Sequence, residues 1–330
     1  MIRTALVLAA LVVITGQVPH EPAKAQPGAR AAAVPVSCAR TCMENVAQEF
    51  LVAMAAHDAA RLPLAPSARY TEQGQAMGFD DGMWRTMSDV GAYRHVFADP
   101  TSGQIGIFAT MKENGRPLVM GARLRLVGGR IAEAEVVVYR SGTGPAWNDA
   151  GVTALDKMER PKPLWTETIA PDRRRSREEL VRTANLYFEA IQNNNGKGVY
   201  PFTDDCDRLE NGVYTTHNPG VIVMGGVDIG GMGCKEQFST GLYGVVTRVH
   251  HRRFLVVDEE RQAVFALAVF DHGGHIKSLT MPTGKVVDVG FFSRPSSILL
   301  TEAFRIDGNL IRQVEAVGTS VPYHLYPGWD

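Results

Sequence analysis

The sequence predicts an α+β fold built as two diverged copies of one domain. Three observations carry this. Each half opens on a helical stripe of apolar residues, β-type segments follow it in both halves, and matched residues recur at fixed spacings between the halves. A length of 330 residues suits about two domains. The 33 glycines and 18 prolines suit turns and strands better than a helical bundle.

The first helix is expected from about Cys38 to His57, with Ser37 as N-cap and Met43, Val46, Ala47, Phe50 and Met54 on one face. The second opens on Ser176 and Glu179, the two ends of a capping box. Leu180, Ala184, Tyr187, Phe188 and Ile191 form its stripe. The halves superimpose without a gap at first. Phe50 matches Phe188, Pro63 matches Pro201, Glu72 matches Glu210 and Gly74 matches Gly212, all 138 residues apart. The strand Gly106–Thr110 then resembles Phe265–Val269, and Asp99 pairs with Asp258, at an offset of 159. Arg125–Gly128 matches Arg305–Gly308, and Ile131 and Glu135 match Ile311 and Glu315, at 180. The growing offset places insertions in the loops of the second copy.

The boundaries follow. Residues 1–25 are expected to be an export signal: Arg3 supplies a positive start, Ala5 to Thr15 an apolar run, and Ala23-Lys24-Ala25 a cleavage site. The run is short for a membrane span of about 20 residues, though an uncleaved anchor is the alternative reading. Residues 26–36 form a small-residue tail, 37–141 the first domain and 142–175 a linker. That linker holds Pro145, Pro161, Pro163 and Pro171, and its Trp147 and Trp165 are expected to pack on a domain. The second domain spans 176–322 and a tail 323–330. The chain is therefore expected to be secreted or periplasmic, with no later transmembrane segment.

Apolar residues make up 45% and charged residues 21%, an ordinary globular balance. A formal net charge of -1 argues against bulk attraction to nucleic acid or to an anionic membrane. Four cysteines, an even count in an exported chain, favour disulfides in any of three pairings. Cys206 with Cys234 is preferred because it staples a loop-rich stretch. Cys38 and Cys42 lie one helical turn apart, close enough to bridge. Zinc is the rival use of these thiols, but no second CxxC-type pair supports it.

The stretch from Phe50 through His57-Asp58 and Leu62 to Ala68-Arg69-Tyr70-Thr71-Glu72 resembles the opening of the nuclear transport factor 2-like (SnoaL-like) superfamily. Arg123–Glu133, a strand that turns at Gly128-Gly129 into an Ile-x-Glu strand, resembles its closing unit. More narrowly, the Tyr-Thr-Glu of the first copy and the Val-Asp-Glu-Glu of the second are similar to an uncharacterised family of secreted fungal and bacterial proteins. The region from His217 to Cys234 has no counterpart in the superfamily pattern. The resemblance implies two tandem cone-shaped domains, each a strongly bent antiparallel sheet wrapped around N-terminal helices, with a pocket at the open end. It also implies that the two cones pack through their outer sheet faces as an intramolecular pseudo-dimer, as homodimers of the superfamily do. The superfamily includes ketosteroid isomerase, scytalone dehydratase, limonene epoxide hydrolase and polyketide cyclases, and also members that only bind or assemble, so fold alone does not assign a reaction.

In ketosteroid isomerase-like members the strand after the second helix carries a carboxylate base. The matching positions are Glu72 and Glu210. Alternation puts Tyr70 beside Glu72 and Arg208 beside Glu210. Tyr70 could donate to a developing oxyanion and Arg208 could hold an anionic substrate. The competing reading has both glutamates bonded to loop backbone or paired with arginine. A second constellation is Val249–Phe254 with Phe270–His275. Alternation expects His250 and Arg252 on one face and His251 and Arg253 on the other, with Asp271 and His272 on the neighbouring strand. One of these histidines could act as acid or base oriented by Asp271. A metal reading of His272-x-x-His275 is weak, and no metal is expected.

Asp99 and Asp258 read as turn residues. The glycines from Gly225 to Gly233 lack a GxGxxG pattern and read as a lid-like insertion tied down by Cys234. Tyr214, Thr216 and His217 would line its mouth. Trp84 and Arg85 would line the pocket of the first copy, although Trp84 also suits a core. No nucleophile elbow is present. These residues lead to an exported lyase- or isomerase-type enzyme that needs no organic cofactor. It would apply carboxylate acid/base chemistry to a small, mostly apolar molecule, with Glu210 before Glu72 as the base. The rival is a non-catalytic protein that binds a small hydrophobic ligand or a partner.

Overall fold

The computed structural model describes residues 38–141 and 149–329. The expected signal, the tail at 26–36, the Ser37 cap, Pro145 and Trp147 lie outside the described residues, as does Asp330. The protein is α+β, with two cone-shaped units, each a strongly bent six-stranded sheet around a helix.

The first unit starts with α1 (Arg40–Ala55), which buries Met43, Ala47, Phe50 and Met54 as its stripe requires. Its N-cap is Ala39, which has no capping side chain. The sheet comprises β1 (Leu64–Glu72), β2 (Gln75–Met77), β3 (Met87–Asp99), β4 (Gln104–Glu113), β5 (Arg116–Val127) and β6 (Arg130–Arg140), with the short α2 (Met83–Thr86) before β3. Strand order is β2-β1-β6-β5-β4-β3. Pairing is antiparallel except between β1 and β6, which run parallel. A register shift between Val90 and Arg94 bends β3, as bulges do. The stretch expected to be a linker carries α3 (Asp149–Met158), whose Val152 and Leu155 are buried three apart on one face. Trp165 is buried against His95 and Phe97, as an aromatic in a docked segment should be.

The second unit opens with α4 (Arg177–Gln192). Its capping box is complete: Glu179 N–H donates to Ser176 Oγ at 3.3 Å, and Ser176 N–H donates to Glu179 Oε2 at 2.9 Å. Then come β7 (Phe202–Glu210), β8 (Val213–Tyr214), the hairpin of β9 (Val223–Met224) and β10 (Val227–Asp228), and α5 (Cys234–Ser239). β11 (Arg248–Asp258), β12 (Ala263–His272), the hairpin of β13 (Ser278–Thr280) and β14 (Val286–Asp288), β15 (Ser296–Asp307) and β16 (Leu310–Val321) complete it. The main sheet reads β11-β12-β15-β16-β7-β8, which is the order of the first sheet in reverse listing, again with one parallel pair, β7 with β16.

Alternation sorts β12 cleanly. Val264, Ala266, Ala268 and Phe270 join the core under α4, whereas Ala263, Phe265, Leu267 and Val269 join a core shared with Phe97, Phe108 and Tyr139 of the first sheet. Phe108 and Phe265 rings lie 5.2 Å apart. Buried polar pairs cross the same face: Glu315 accepts from Tyr93 Oη at 2.8 Å and meets His95 Nδ1 at 2.7 Å, and Glu135 accepts from Arg253. Asp99 and Asp258 sit at turns, as expected, and each also reaches across, to Arg177 and Arg40. Both expected disulfides are present, Cys38–Cys42 and Cys206–Cys234. Two disulfides fit an oxidising compartment. No described helix is long and apolar enough to cross a membrane.

Candidate functional site

The second unit holds a cavity of about 380 Å³ between its bent sheet, α4 and the inserted segment. Small residues on the inner face of the sheet, Ala316 and Gly318 of β16, leave the space. Ile222, Met224 and Ile229 of the insertion, with Phe291 and Phe292, cover it with apolar side chains. Two hollows of about 670 and 680 Å³ lie elsewhere, lined by surface charges such as Arg182 and Glu178, or Arg116 and Asp149. An apolar cavity with a few convergent polar groups is the better candidate for a small-molecule site.

Sheet register places the polar groups. Glu210 pairs with Ala316, and Ala316 pairs with Glu302, so both glutamates face one cavity from strands on either side of β16. Arg208, two residues before Glu210, shares that face. It is buried and is held on three sides. Its Nη1 donates to Gln237 Oε1 at 2.8 Å and to Tyr243 Oη, its Nη2 forms an ion pair with Glu210, and Tyr243 Oη donates to Gln237 Oε1 at 2.9 Å. Gln237 is fixed in turn by the carbonyls of Thr215, at 2.5 Å, and Ile229, at 2.9 Å. It rides on α5, which the Cys206–Cys234 bridge ties to β7. Burial by itself would lower the Arg208 pKa, but Glu210, Tyr187 and Tyr243 carry it above the ordinary value.

Glu302 is the exceptional group. It is 2% exposed, and burial raises its pKa to about 8, with Tyr187 and Arg208 pulling down and Glu210 pushing up. Among the described residues its Oε2 has no aligned hydrogen-bond partner. His272 lines the same cavity, stacked 4.4 Å over Phe292, and burial lowers its pKa to about 4, which leaves a neutral imidazole whose Nδ1 has no hydrogen-bond partner among the described residues. A protonated carboxyl, a fixed guanidinium–carboxylate pair, a neutral imidazole and two tyrosines thus face one apolar space. Pairs of titratable groups whose surroundings push their pKa values apart mark acid and base roles.

The first unit is built differently at the same positions. Glu72 pairs with Val136 and Val136 with Ala122, where the second unit has Glu210, Ala316 and Glu302. Val138 stands for Gly318 and Met120 for Leu300. These side chains, with Trp84 and Tyr70, fill the interior. Glu72 accepts from Met83 N–H at 2.8 Å, from Arg140 Nη2 at 2.9 Å and from Tyr70 Oη at 3.4 Å, which is the backbone-and-arginine role of the competing reading. Burial, then Glu72, pushes the Tyr70 pKa well up, so its hydroxyl keeps its proton.

Several expected residues lie away from the cavity. Trp84 is core, and Arg85 is exposed with its Nε donating to Asp80 O at 2.5 Å. Tyr214 pairs with Leu209 in register, which turns it from Arg208 and Glu210, and its ring lies 4.6 Å from Lys162 Nζ. His217 is exposed and meets Asp207 at 2.9 Å. Thr216 Oγ1 accepts from Arg208 N–H at 2.9 Å without lining the cavity. His250 and Asp271 do meet, at 3.1 Å, but on the opposite face of the sheet. The expected alternation along β11 fails because His251 takes a left-handed conformation, φ 47°, within a register shift. Arg253 therefore reaches Glu135, and Arg252 turns to Asn185 and Gln192 of α4.

Sequence reasoning missed Glu302, Tyr243 and Gln237. The available signal for Glu302 was one acid inside the mostly apolar run Ile298–Phe304.

A family profile described as "Domain of unknown function (DUF8021)" matches residues 173–318, the second unit with the residues just before α4. No curated protein matches the sequence. Among solved structures the chain is similar to a protein from Sphaerobacter thermophilus, at 15% identity over 30% of this chain and 96% of that one, with a TM-score of 0.25. A putative ketosteroid isomerase from Kribbella flavida DSM 17836 is 14% identical over 31% of this chain and 82% of that one, TM-score 0.26. A steroid delta-isomerase from Pseudomonas aeruginosa is 18% identical over 38% and 93%, TM-score 0.25. At these identities and scores no chemistry transfers to this chain.

Proposed function

We propose that the second unit is an acid/base enzyme of the lyase or isomerase type, acting on a small, mostly apolar molecule without an organic cofactor. The observation that carries this is Glu302, a buried carboxyl facing the cavity with a pKa raised to about 8. Such a group exchanges protons near neutral pH, and its carboxylate is a strong base because no water steadies it. The first choice of base, Glu210, is paired with Arg208 and is better suited to holding that cation in place.

In this reading the Glu302 carboxylate takes a proton from a carbon next to a carbonyl. The carbonyl oxygen becomes an enolate that Tyr187 Oη, or His272 if its N–H faces the cavity, steadies by donating a hydrogen bond. The protonated Glu302 then returns the proton to another carbon, giving an isomer, or to a departing hydroxide, giving water and an alkene. Disulfides in both units support export, and the twice-used strand order supports a duplicated domain folded as an internal pseudo-dimer. On this reading the filled first unit is a scaffold.

The rival, a protein that only binds a hydrophobic ligand, draws on the arginine partners of Glu72 and Glu210. It gives no role to Glu302. A thermal-shift screen of aromatic, terpenoid and hydroxy-carbonyl compounds against wild type and Glu302→Gln separates the two. A compound that wild type converts and the variant only binds supports catalysis. A compound that both hold equally without turnover supports the rival.

A further inference from the structure

On the face of the second sheet turned away from the cavity, three side chains converge: His250 of β11, Asp271 of β12 and His324 of the C-terminal segment. One ligand atom from each lies within 4.8 Å of the other two. His250 Nε2 is 3.1 Å from Asp271 Oδ1, and His324 Nδ1 is 3.5 Å from Asp271 Oδ2. Donors about 2.0–2.2 Å from a tetrahedral ion are about 3.3–3.6 Å from one another; the His324 separation lies in that range, and the His250 separation, at hydrogen-bond length, would open by a few tenths of an ångström as the shared proton leaves.

The surroundings are built rather than incidental. Ser297 Oγ donates to Asp271 Oδ1 at 2.5 Å and accepts from His324 N–H at 3.0 Å, so one hydroxyl orients the carboxylate and sets the histidine above it. The far ring nitrogen of His250 meets His251 Nδ1 at 2.5 Å. Metal-binding imidazoles commonly use their second nitrogen this way. Without a metal, a chain of hydrogen bonds from His251 through His250 satisfies Asp271 Oδ1. It does nothing for Oδ2. Asp271 is fully buried, and among the described residues its Oδ2 has no aligned donor, with His324 Nδ1 3.5 Å away. A buried carboxylate oxygen without an aligned donor is a costly arrangement, which a bound cation would relieve.

We propose that His250, Asp271 and His324 form a binding site for one divalent transition-metal ion of the zinc class. This departs from the expectation of no metal, which weighed the four cysteines and the His272-x-x-His275 spacing but not these three residues. Two imidazoles and one carboxylate select borderline ions such as Zn2+ over Mg2+, which prefers oxygen donors and keeps its water. The His250 Nε2 proton would leave as the ion binds. The ion would also fasten the C-terminal segment. Beyond His324 that segment runs to the first unit, where Trp329 Nε1 donates to Thr71 Oγ1 at 2.8 Å and its ring lies under Arg69 and Arg123, at 4.3 and 4.7 Å.

The test uses the whole mature chain without an affinity tag. Calorimetric titration with Zn2+ should give one site per chain with micromolar or tighter affinity, and Mg2+ should give none. Co2+ should produce the visible absorption of a four-coordinate site. His324→Ala, on an exposed segment, should weaken Zn2+ binding at least tenfold with an unchanged circular dichroism spectrum, and His250→Ala should do the same. No saturable Zn2+ binding by wild type would overturn the proposal. So would equal affinity in wild type and both variants, because the ion would then sit elsewhere.

Discussion

Glu302 and Glu210 face the same cavity from strands that flank β16, with Ala316 in register between them. Strand spacing puts their backbones about 10 Å apart, so the two carboxyls can address opposite ends of a small molecule. Their surroundings separate them: Glu210 has Arg208, whereas burial keeps Glu302 protonated up to about pH 8.

That difference has a thermodynamic signature. Between its ordinary pKa of 4.5 and about 8, Glu302 holds a proton in the native chain that the unfolded chain releases, so its contribution to stability falls as pH rises. His272, lowered from 6.5 to about 4, acts with the opposite sign between those values. The two oppose each other up to about pH 6.5, and from there to pH 8 the Glu302 loss stands alone, at about 1.4 kcal/mol per pH unit. Urea unfolding at pH 6.5 and pH 8 should show Glu302→Gln losing less stability than wild type over this interval.

Glu72 should prove structural. Glu72→Ala strips Arg140 and the Met83 N–H of a buried acceptor and should cost about 3 kcal/mol. Ligand binding in the second unit should be unchanged, as read by urea unfolding together with thermal shift.

Gly121 and Thr301 occupy matching positions, 180 residues apart, and face each other between the sheets. A Cβ at Gly121 would overlap the Thr301 hydroxyl. Gly121→Ala should therefore destabilise by about 1–3 kcal/mol. A double-mutant cycle with Thr301→Ala should show coupling of about 0.5 kcal/mol or more, since the second change removes the colliding oxygen.

The disulfides should differ in effect. Cys206–Cys234 spans 28 residues and Cys38–Cys42 only four. Replacing the longer bridge with serines should cost about 3–4 kcal/mol on the chain-entropy account. It should also weaken ligand binding, because α5 carries the Gln237 that holds Arg208. Replacing the shorter bridge should leave ligand affinity intact.

Much of the architecture was legible in the sequence because local signals agreed. The capping box at Ser176 and Glu179, the two helical stripes and the paired strand motifs all pointed one way. Glu210 was singled out by the repeat match and the superfamily resemblance, and alternation then put Arg208 on its face. Tyr214 was not, because its side depends on which residue of β7 it pairs with, a tertiary choice. The faces of β11 were misread because a bulge at His251 interrupts the period of two. Glu302 carries no repeat signal, because its counterpart in the first copy is Ala122. The helix α3 was hidden among prolines and tryptophans that read as linker.

The most direct test is the protonation state of Glu302 itself. Carbon-13 NMR of side-chain carboxyls, with the Glu302 signal assigned by its loss in Glu302→Gln, follows the group across pH 3–10. A titration near pH 8, shifted when the cavity takes a ligand, is the predicted result. A titration near 4.5, with no response to ligand, would contradict the assignment of Glu302 as the proton-transfer group.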